Sequence, residues 1–245
     1  MALDVTVLGC GEAFDERYTN TSLLLSAEGK TILLDCGYSA PAPLWNAVAE
    51  PDAIDLIYVS HAHADHYFGL PGVLGRMWED GRNKPLVLLS QPSILTKIRE
   101  LMEAGYTGLR GRFQYSIKYE EALPSRRVEW EGIGFSFAPT RHSVTNLAVR
   151  VAAPSGTFCY SGDGQFTDES RALFVGADLL VHEAYSFDAS PVHGDFPGVI
   201  RMATQQSVRR LALVHIQRKI RREQTERIRA VEAVVPEPGD HLTLC

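Results

Sequence analysis

The sequence predicts a layered α/β fold, with sheets facing each other and helices outside. Three observations carry that prediction. Apolar runs of strand length recur along the whole chain, helical stretches fall between some of them without strict alternation, and no linker, repeat or low-complexity tract divides them. The 245 residues are therefore read as a single domain, 1–245, and 45% hydrophobic with 22% charged residues suffices to bury a sizeable core.

The predicted strands are DVTVLG (4–9), TSLLLS (21–26), KTILLDCG (30–37), DLIYVSH (55–61), PLVLLS (85–90), GFSFAPT (134–140), LAVRVAA (147–153), TFCYSGD (157–163), DLLVHEA (178–184), RLALVHI (210–216) and HLTL (241–244). Most are rich in β-branched or aromatic residues and end in Gly, Ser, Asp or His. Helices are predicted at 41–49, 69–80, 93–104, 168–174, 196–208 and 220–233. PSILTKIRELMEAG shows the helical period most clearly, and Gly105 can cap it.

Composition excludes several classes. No stretch approaches the roughly 18 apolar residues of a membrane span. The start MALDVTVLGCG has no basic region and Asp4 interrupts its apolar run, so the predicted compartment is the cytoplasm. Cys10, Cys36, Cys159 and Cys245 form no C-x-x-C pair and are expected to be reduced thiols. A net charge of −6 argues against coating long nucleic acid by bulk charge.

SHAHADHYFGLPG (60–72) places three of the eight histidines and an aspartate within six positions. Further ligand-type residues follow apolar strands: SFAPTR runs into His142, FCYSG into Asp163 and LALV into His215. Strand carboxyl ends are where α/β folds collect functional groups. His61, His63, His66, His142 and His215 offer imidazole nitrogens, and Asp65 and Asp163 offer carboxylates. Nitrogen and oxygen donors without thiolates suit zinc, manganese or iron at a hydrolytic site. Seven donors are too many for one tetrahedral ion and fit two, with Asp163 the chosen bridge.

HAHADH resembles the signature of the metallo-β-lactamase superfamily, and His142, Asp163 and His215 fall in that superfamily's order. The resemblance covers nearly the whole chain. It implies a four-layer αββα sandwich with a dinuclear site at one edge of the sheets. By carry-over, His61, His63 and His142 hold one ion, Asp65, His66 and His215 hold the other, and Asp163 bridges. Asp35, in LLDCG, matches an aspartate that supports the loop carrying the cluster.

Within the superfamily, Asp163 stands where class B β-lactamases have Cys, and His63 where the di-iron oxidoreductases have Glu. The sequence is most similar to ribonuclease Z and its smaller phosphodiesterase relatives. LGCGEAFDERYTNTSLLL, HADHYFGLPGVLGRMW and LLVHEAYS match their segments, and His193 in VHGDF sits where ribonuclease Z has an H-S-T loop. Only 143–162 separates His142 from Asp163, so the long arm that clasps tRNA is missing. The resemblance thus implies a dinuclear phosphodiesterase acting on small or cyclic phosphodiesters or short nucleic-acid ends. Ribonuclease Z relatives are often homodimers, which extends that expectation here.

Two divalent ions, zinc first with manganese or iron as alternatives, supply an acidified water and clamp phosphate oxygens during displacement. Asp65 is the expected proton acceptor and His193 the expected acid for the leaving oxygen. His182 and Glu183 are neighbours on one strand and point to opposite faces, so one is expected to hold a ligand histidine's other nitrogen. QRKIRREQTER (217–227) is expected to be a solvated helix, with Arg218 or Lys219 able to reach a substrate phosphate. The alternative chemistry is hydrolysis of a thioester, ester or lactone, since the same ions polarise carbonyls. A second alternative is tRNA 3′ processing of the ribonuclease Z type. A non-catalytic binding module is disfavoured by the complete donor set.

Overall fold

A computed structural model describes residues 3–124 and 126–243. Leu244, the last residue of the expected final strand, and the expected thiol Cys245 lie outside the described residues.

The first sheet contains β1 (Asp4–Gly9), β2 (Ser22–Ala27), β3 (Lys30–Leu34), β4 (Leu56–Val59), β5 (Leu86–Ser90) and β6 (Ile117–Glu121). The second contains β7 (Val128–Trp130), β8 (Ile133–Thr140), β9 (Asn146–Ala153), β10 (Gly156–Tyr160), β11 (Leu179–Glu183) and β12 (Leu211–Val214), while β13 (His241–Thr243) returns to the outer side of β1. The helices are α1 (Pro41–Ala47), α2 (Ala64–Tyr67), α3 (Leu70–Glu79), α4 (Pro92–Gly105), α5 (Asp168–Phe174), α6 (Phe196–Gln205), α7 (Arg218–Glu223) and α8 (Thr225–Arg229).

Each sheet is part antiparallel and part parallel. β1, β2 and β3 run antiparallel, then β3 to β6 run parallel. In the second sheet β7 to β10 are antiparallel, while β10, β11 and β12 are parallel. Parallel strands need helical crossovers, and the helices cover the outer faces. β4 and β5 are accordingly apolar and buried at every position, apart from Ser90 at the site end.

Three apolar layers make the four-layer sandwich. Between the sheets lie inward residues of both, such as Val5, Leu25, Tyr58, Phe135, Val149 and Val181. Tyr58 stacks on Phe137 across this gap, with ring centroids 5.9 Å apart. Outside the first sheet, α3 and α4 contribute stripes at helical spacing, Leu70, Val73, Leu74 and Met77, and Ile94, Leu95, Ile98 and Met102. Outside the second, α6 contributes Phe196, Val199 and Met202 against Leu180 and Leu213.

The expected helix 220–233 is two short helices instead. Gln224 leaves the helical conformation, at φ −120°, and the chain turns so that Ile228 enters the outer core. Val231, Ala233 and Val235 then pack there, and Val234 bridges to Ala212. The expected helix 196–208 ends at Gln205, and Ser207 turns left-handed at φ 55°. Four expected strands also stop two or three residues early: 30–37 ends at Leu34, before left-handed Asp35, 55–61 at Val59, 157–163 at Tyr160 and 210–216 at Val214. Edge strands β6 and β7 have no counterpart in the sequence reading. One is the charged run IKYEE and the other only three residues long.

Candidate metal centre

The parallel strands deliver their following residues to one end of the sandwich. β4 leads through buried Ser60 to His61. One turn later α2 carries Asp65 and His66, with His63 at its N-terminal boundary. That turn is pressed against the loop after β3. Cys36 N–H donates to the His66 carbonyl at 2.7 Å, and a Cβ on Gly37 would lie 2.0 Å from the Asp65 carbonyl oxygen. Only glycine allows this approach. β8 leads to His142, β10 to Asp163 by way of left-handed Gly162 at φ 58°, and β12 to His215. Asp35 and His215 are themselves left-handed, at φ 57° and 56°, a cost of about 1–3 kcal/mol each that surrounding contacts must outweigh.

The seven sequence-predicted residues His61, His63, Asp65, His66, His142, Asp163 and His215 converge. Donor atoms of His61, His63, His142 and Asp163 lie within 4.8 Å of one another, as do those of Asp65, His66, Asp163 and His215. Asp163 is common to both groups. Its Oδ2 lies 3.7 Å from His61 Nε2, 3.4 Å from His66 Nε2, 3.9 Å from His142 Nε2 and 3.3 Å from His215 Nε2.

Three of the other ring nitrogens are held from behind, while His215 Nδ1 is buried without a partner. His66 Nδ1–H donates to Asp35 Oδ2 at 2.8 Å and His142 Nδ1–H to the Val192 carbonyl at 2.9 Å. Ser60 Oγ gives its proton to Asp35 Oδ2 at 2.7 Å, so it accepts from His61 Nδ1–H at 3.0 Å. Three Nε2 lone pairs are thereby turned inward. His63 Nδ1 then faces the lone pairs of His61 Nε2 and His142 Nε2, each at 3.1 Å, and carries at most one proton to share. His66 Nε2 and Asp163 Oδ1 are buried with no hydrogen-bond partner. Buried lone pairs that converge without donors are costly, and cations at their centre resolve the cost. The residues present fit a pair of divalent ions.

Electrostatics agree with this geometry. Burial, then the neighbouring His66, pushes His61 well below the ordinary imidazole range, which keeps a nitrogen lone pair available. Burial also opposes charge on Asp163, but His215 and His66 outweigh it and hold its carboxyl well below the usual range. Asp65 is lowered too, with burial outweighed chiefly by His66.

His193 stands at the rim. Its Nδ1–H donates to Glu183 Oε2 at 3.0 Å, and Tyr185 stacks on its ring at 4.4 Å. Burial lowers its pKa, but the hydrogen bond and charge of Glu183 outweigh it, and the net shift is upward. Glu183 is fully buried and also accepts Gly194 N–H at 3.1 Å and Gly164 N–H. Asp195 caps α6 through Gly198 N–H at 2.7 Å, which fixes the H-G-D turn. Of the pair His182 and Glu183, neither holds a nitrogen of the seven residues. Glu183 holds His193, while His182 faces the outer core between Phe166 and Phe174.

A cavity of about 380 Å³ opens over Asp65, Asp163, His142, His193 and His215. Glu12, Phe14, Tyr38 and Tyr185 complete its wall and were not singled out from the sequence. Phe14 and Tyr38 are 74% and 50% exposed, and aromatic residues in the Gly-flanked turns GEAFDERY and CGYS are the signal that could have found them. Neither Arg218 nor Lys219 lines the cavity. Arg218 is engaged behind its wall, with Glu12 at 2.5 Å and Glu16 at 3.7 Å.

A family profile described as anti-Pycsar protein Apyc1 matches residues 3–234. A ribonuclease Z of Methanothermobacter thermautotrophicus is 26% identical over an alignment covering 99% of this chain and 96% of that protein. The anti-Pycsar protein Apyc1 of Paenibacillus harenae is 24% identical, covering 78% of this chain and 80% of its own. Among solved structures, the short form of human tRNase Z superposes with a TM-score of 0.82 at 22% identity, covering 99% of each chain.

Proposed function

The chain belongs to the anti-Pycsar protein Apyc1 family, within the metallo-β-lactamase superfamily of ribonuclease Z and its small relatives, and from that membership we propose that it hydrolyses small phosphodiesters, cyclic nucleotides foremost. It is a metal-dependent hydrolase of the phosphodiester-cleaving class. The observation that carries the choice of substrate is the cavity. It is sized for one small ligand, it has exposed Phe14 and Tyr38 at its mouth, and no Lys or Arg is among its lining residues. Such a site can stack a base beside the reacting phosphate but offers no track for a nucleic-acid backbone.

In this reading His61, His63 and His142 hold one divalent ion, Asp65, His66 and His215 the other, and Asp163 both. Bound there, the ions would supply Lewis acidity, lowering the pKa of water and offsetting phosphate charge. Asp65 Oδ2, 3.2 Å from His66 Nε2, is kept in its anionic form and accepts the proton of the attacking water. His193 gives a proton to the leaving oxygen from Nε2, because Glu183 holds the proton on Nδ1. Asp35 keeps His66, Ser60 and Tyr160 in place. The acting unit is the whole of 1–245 as one domain, since both sheets furnish the donors. Zinc as the native ion, a homodimer and a cytoplasmic location belong to the same reading. Among the described residues no helix is long and apolar enough to cross a membrane.

The test sets precursor tRNA beside a cyclic nucleotide, a thioester and a lactone under one metal and salt condition. Turnover of the cyclic nucleotide with a shallow salt dependence is expected, with little tRNA cleavage. Efficient tRNA cleavage after the discriminator base with a steep salt slope restores 3′ processing, and preferred thioester or lactone turnover points to the carbonyl chemistry. Phe14→Ala should raise KM for a cyclic nucleotide about fivefold or more with kcat little changed, because a stacked base contributes about 1–3 kcal/mol. An unchanged KM removes Phe14 from the binding site.

A further inference from the structure

A second cavity, of about 450 Å³, lies between Arg17–Tyr18 and the corner of α7 and α8 and shares no lining residue with the first. We propose that it binds a small phosphate monoester that carries a ring or apolar body.

Its cations are the first argument. Arg17, Arg221 and Arg229 line it. The guanidinium carbons of Arg17 and Arg221 lie 4.9 Å and 4.5 Å from the centroid of the Tyr18 ring. Among the described residues neither has a carboxylate within salt-bridge distance, whereas Arg218, Arg222 and Arg229 are all paired. Besides the Tyr18 ring, the Arg221 guanidinium meets the Cys10 carbonyl and sulfur, at 3.4 Å and 3.9 Å, and its Nε–H is buried without an acceptor. Both guanidinium groups lie over the Tyr18 ring with donors that no carboxylate takes, so each is free to meet an anionic oxygen. A phosphate monoester, planar-fork compatible and dianionic, meets them best.

The acidic groups nearby do not fill that role. Glu237 lines the cavity but accepts Tyr18 Oη–H at 3.0 Å. Glu226 is taken by Arg229 at 2.7 Å, and Asp15 Oδ1 accepts the backbone N–H groups of Arg17 and Tyr18 at 2.9 Å.

The rest of the wall sets the ligand's body. Ile228, Ala233 and Val235 make one side apolar, and Thr225 adds a hydroxyl at the rim. That wall and that volume exceed what inorganic phosphate can use. The cavity also adjoins the backbone that seats His215, since the Cys10 carbonyl touched by Arg221 accepts His215 N–H at 2.9 Å.

Arginine Nε–H resonances of the metal-loaded full chain provide the test. Arg17 lines only the second cavity, so its signal is the reporter, whereas Arg221 is joined to His215 through Cys10 and is read beside it. Adenosine monophosphate should shift the Arg17 and Arg221 signals saturably, and inorganic phosphate should do so more weakly. Arg17→Gln, an exposed position, should weaken adenosine monophosphate about tenfold or more, the scale of one charge-assisted hydrogen bond. Signals unmoved through the millimolar range overturn the site, as does an affinity indifferent to Arg17→Gln. Inorganic phosphate binding as tightly as the nucleotide overturns the apolar body. Tighter binding of a short single-stranded RNA lacking terminal phosphates makes the patch a nucleic-acid surface instead.

Discussion

Asp163→Ala is expected to remove bound metal and turnover together. Wild-type protein should carry about two divalent ions per chain by elemental analysis, because two four-donor groups share this one carboxylate. Without it, both sites lose their common ligand and four histidine nitrogens lose the charge they face. The rate should fall by about 10³-fold or more, since water no longer acidified from near 16 toward about 7 is a poor nucleophile at neutral pH. Asp163→Ala protein that keeps both ions and most of its rate contradicts the bridging role. Wild-type protein that takes up no zinc or manganese contradicts the centre as a whole.

His193→Ala is expected to separate scaffold from chemistry. His193 belongs to neither four-donor group, so the ions those groups hold should remain, while the melting temperature should fall because buried Glu183 loses its partner. The rate on a poor leaving group should fall by about 10²-fold or more, the usual scale for a positioned acid. For nitrophenolate, which departs without a proton, the loss should shrink. Equal losses on good and poor leaving groups exclude His193 as the acid. Glu183→Gln should show the same leaving-group dependence to a smaller degree, because it removes charge from the Nδ1 partner but leaves the ring in place.

What was legible in the sequence, and what was not, follows from range. The layered α/β class could be read because strand runs and helical stripes are local, while the four-layer metallo-β-lactamase arrangement came with the resemblance carried by HAHADH, His142, Asp163 and His215. The donor residues could be singled out because each closes an apolar run, or crowds into the H-x-H-x-D-H turn. The link between Glu183 and His193 could not. It depends on Gly194 bending the 185–195 loop back so that Tyr185 N–H reaches the Gly194 carbonyl at 2.9 Å. Strand alternation did place His182 and Glu183 on opposite faces, but not which of the two faced the site. The pairing of Arg218 with Glu12 could not be read because the two are far apart in sequence and Glu12 gives no local sign of burial. The α7–α8 break is invisible to periodicity, which continues through Gln224 while the core contact at Ile228 demands a turn.

The chain order of the donors has a consequence for how the protein matures. During synthesis the turn bearing His61, His63, Asp65 and His66 is present well before β12 exists. Alone it offers three imidazoles and one carboxylate, and it lacks Asp163 and His215. Closing the remaining loops waits on β8 to β12, whose pairings are distant from that turn in sequence and therefore slow. The complete donor set exists only in the finished fold, where Tyr160 reaches Asp35 across the sheets and left-handed His215 joins Asp65, His66 and Asp163. Metal supplied to unfolded chain and metal supplied to finished protein are then two different experiments, and the ion acquired in the first need not be the one that the second retains.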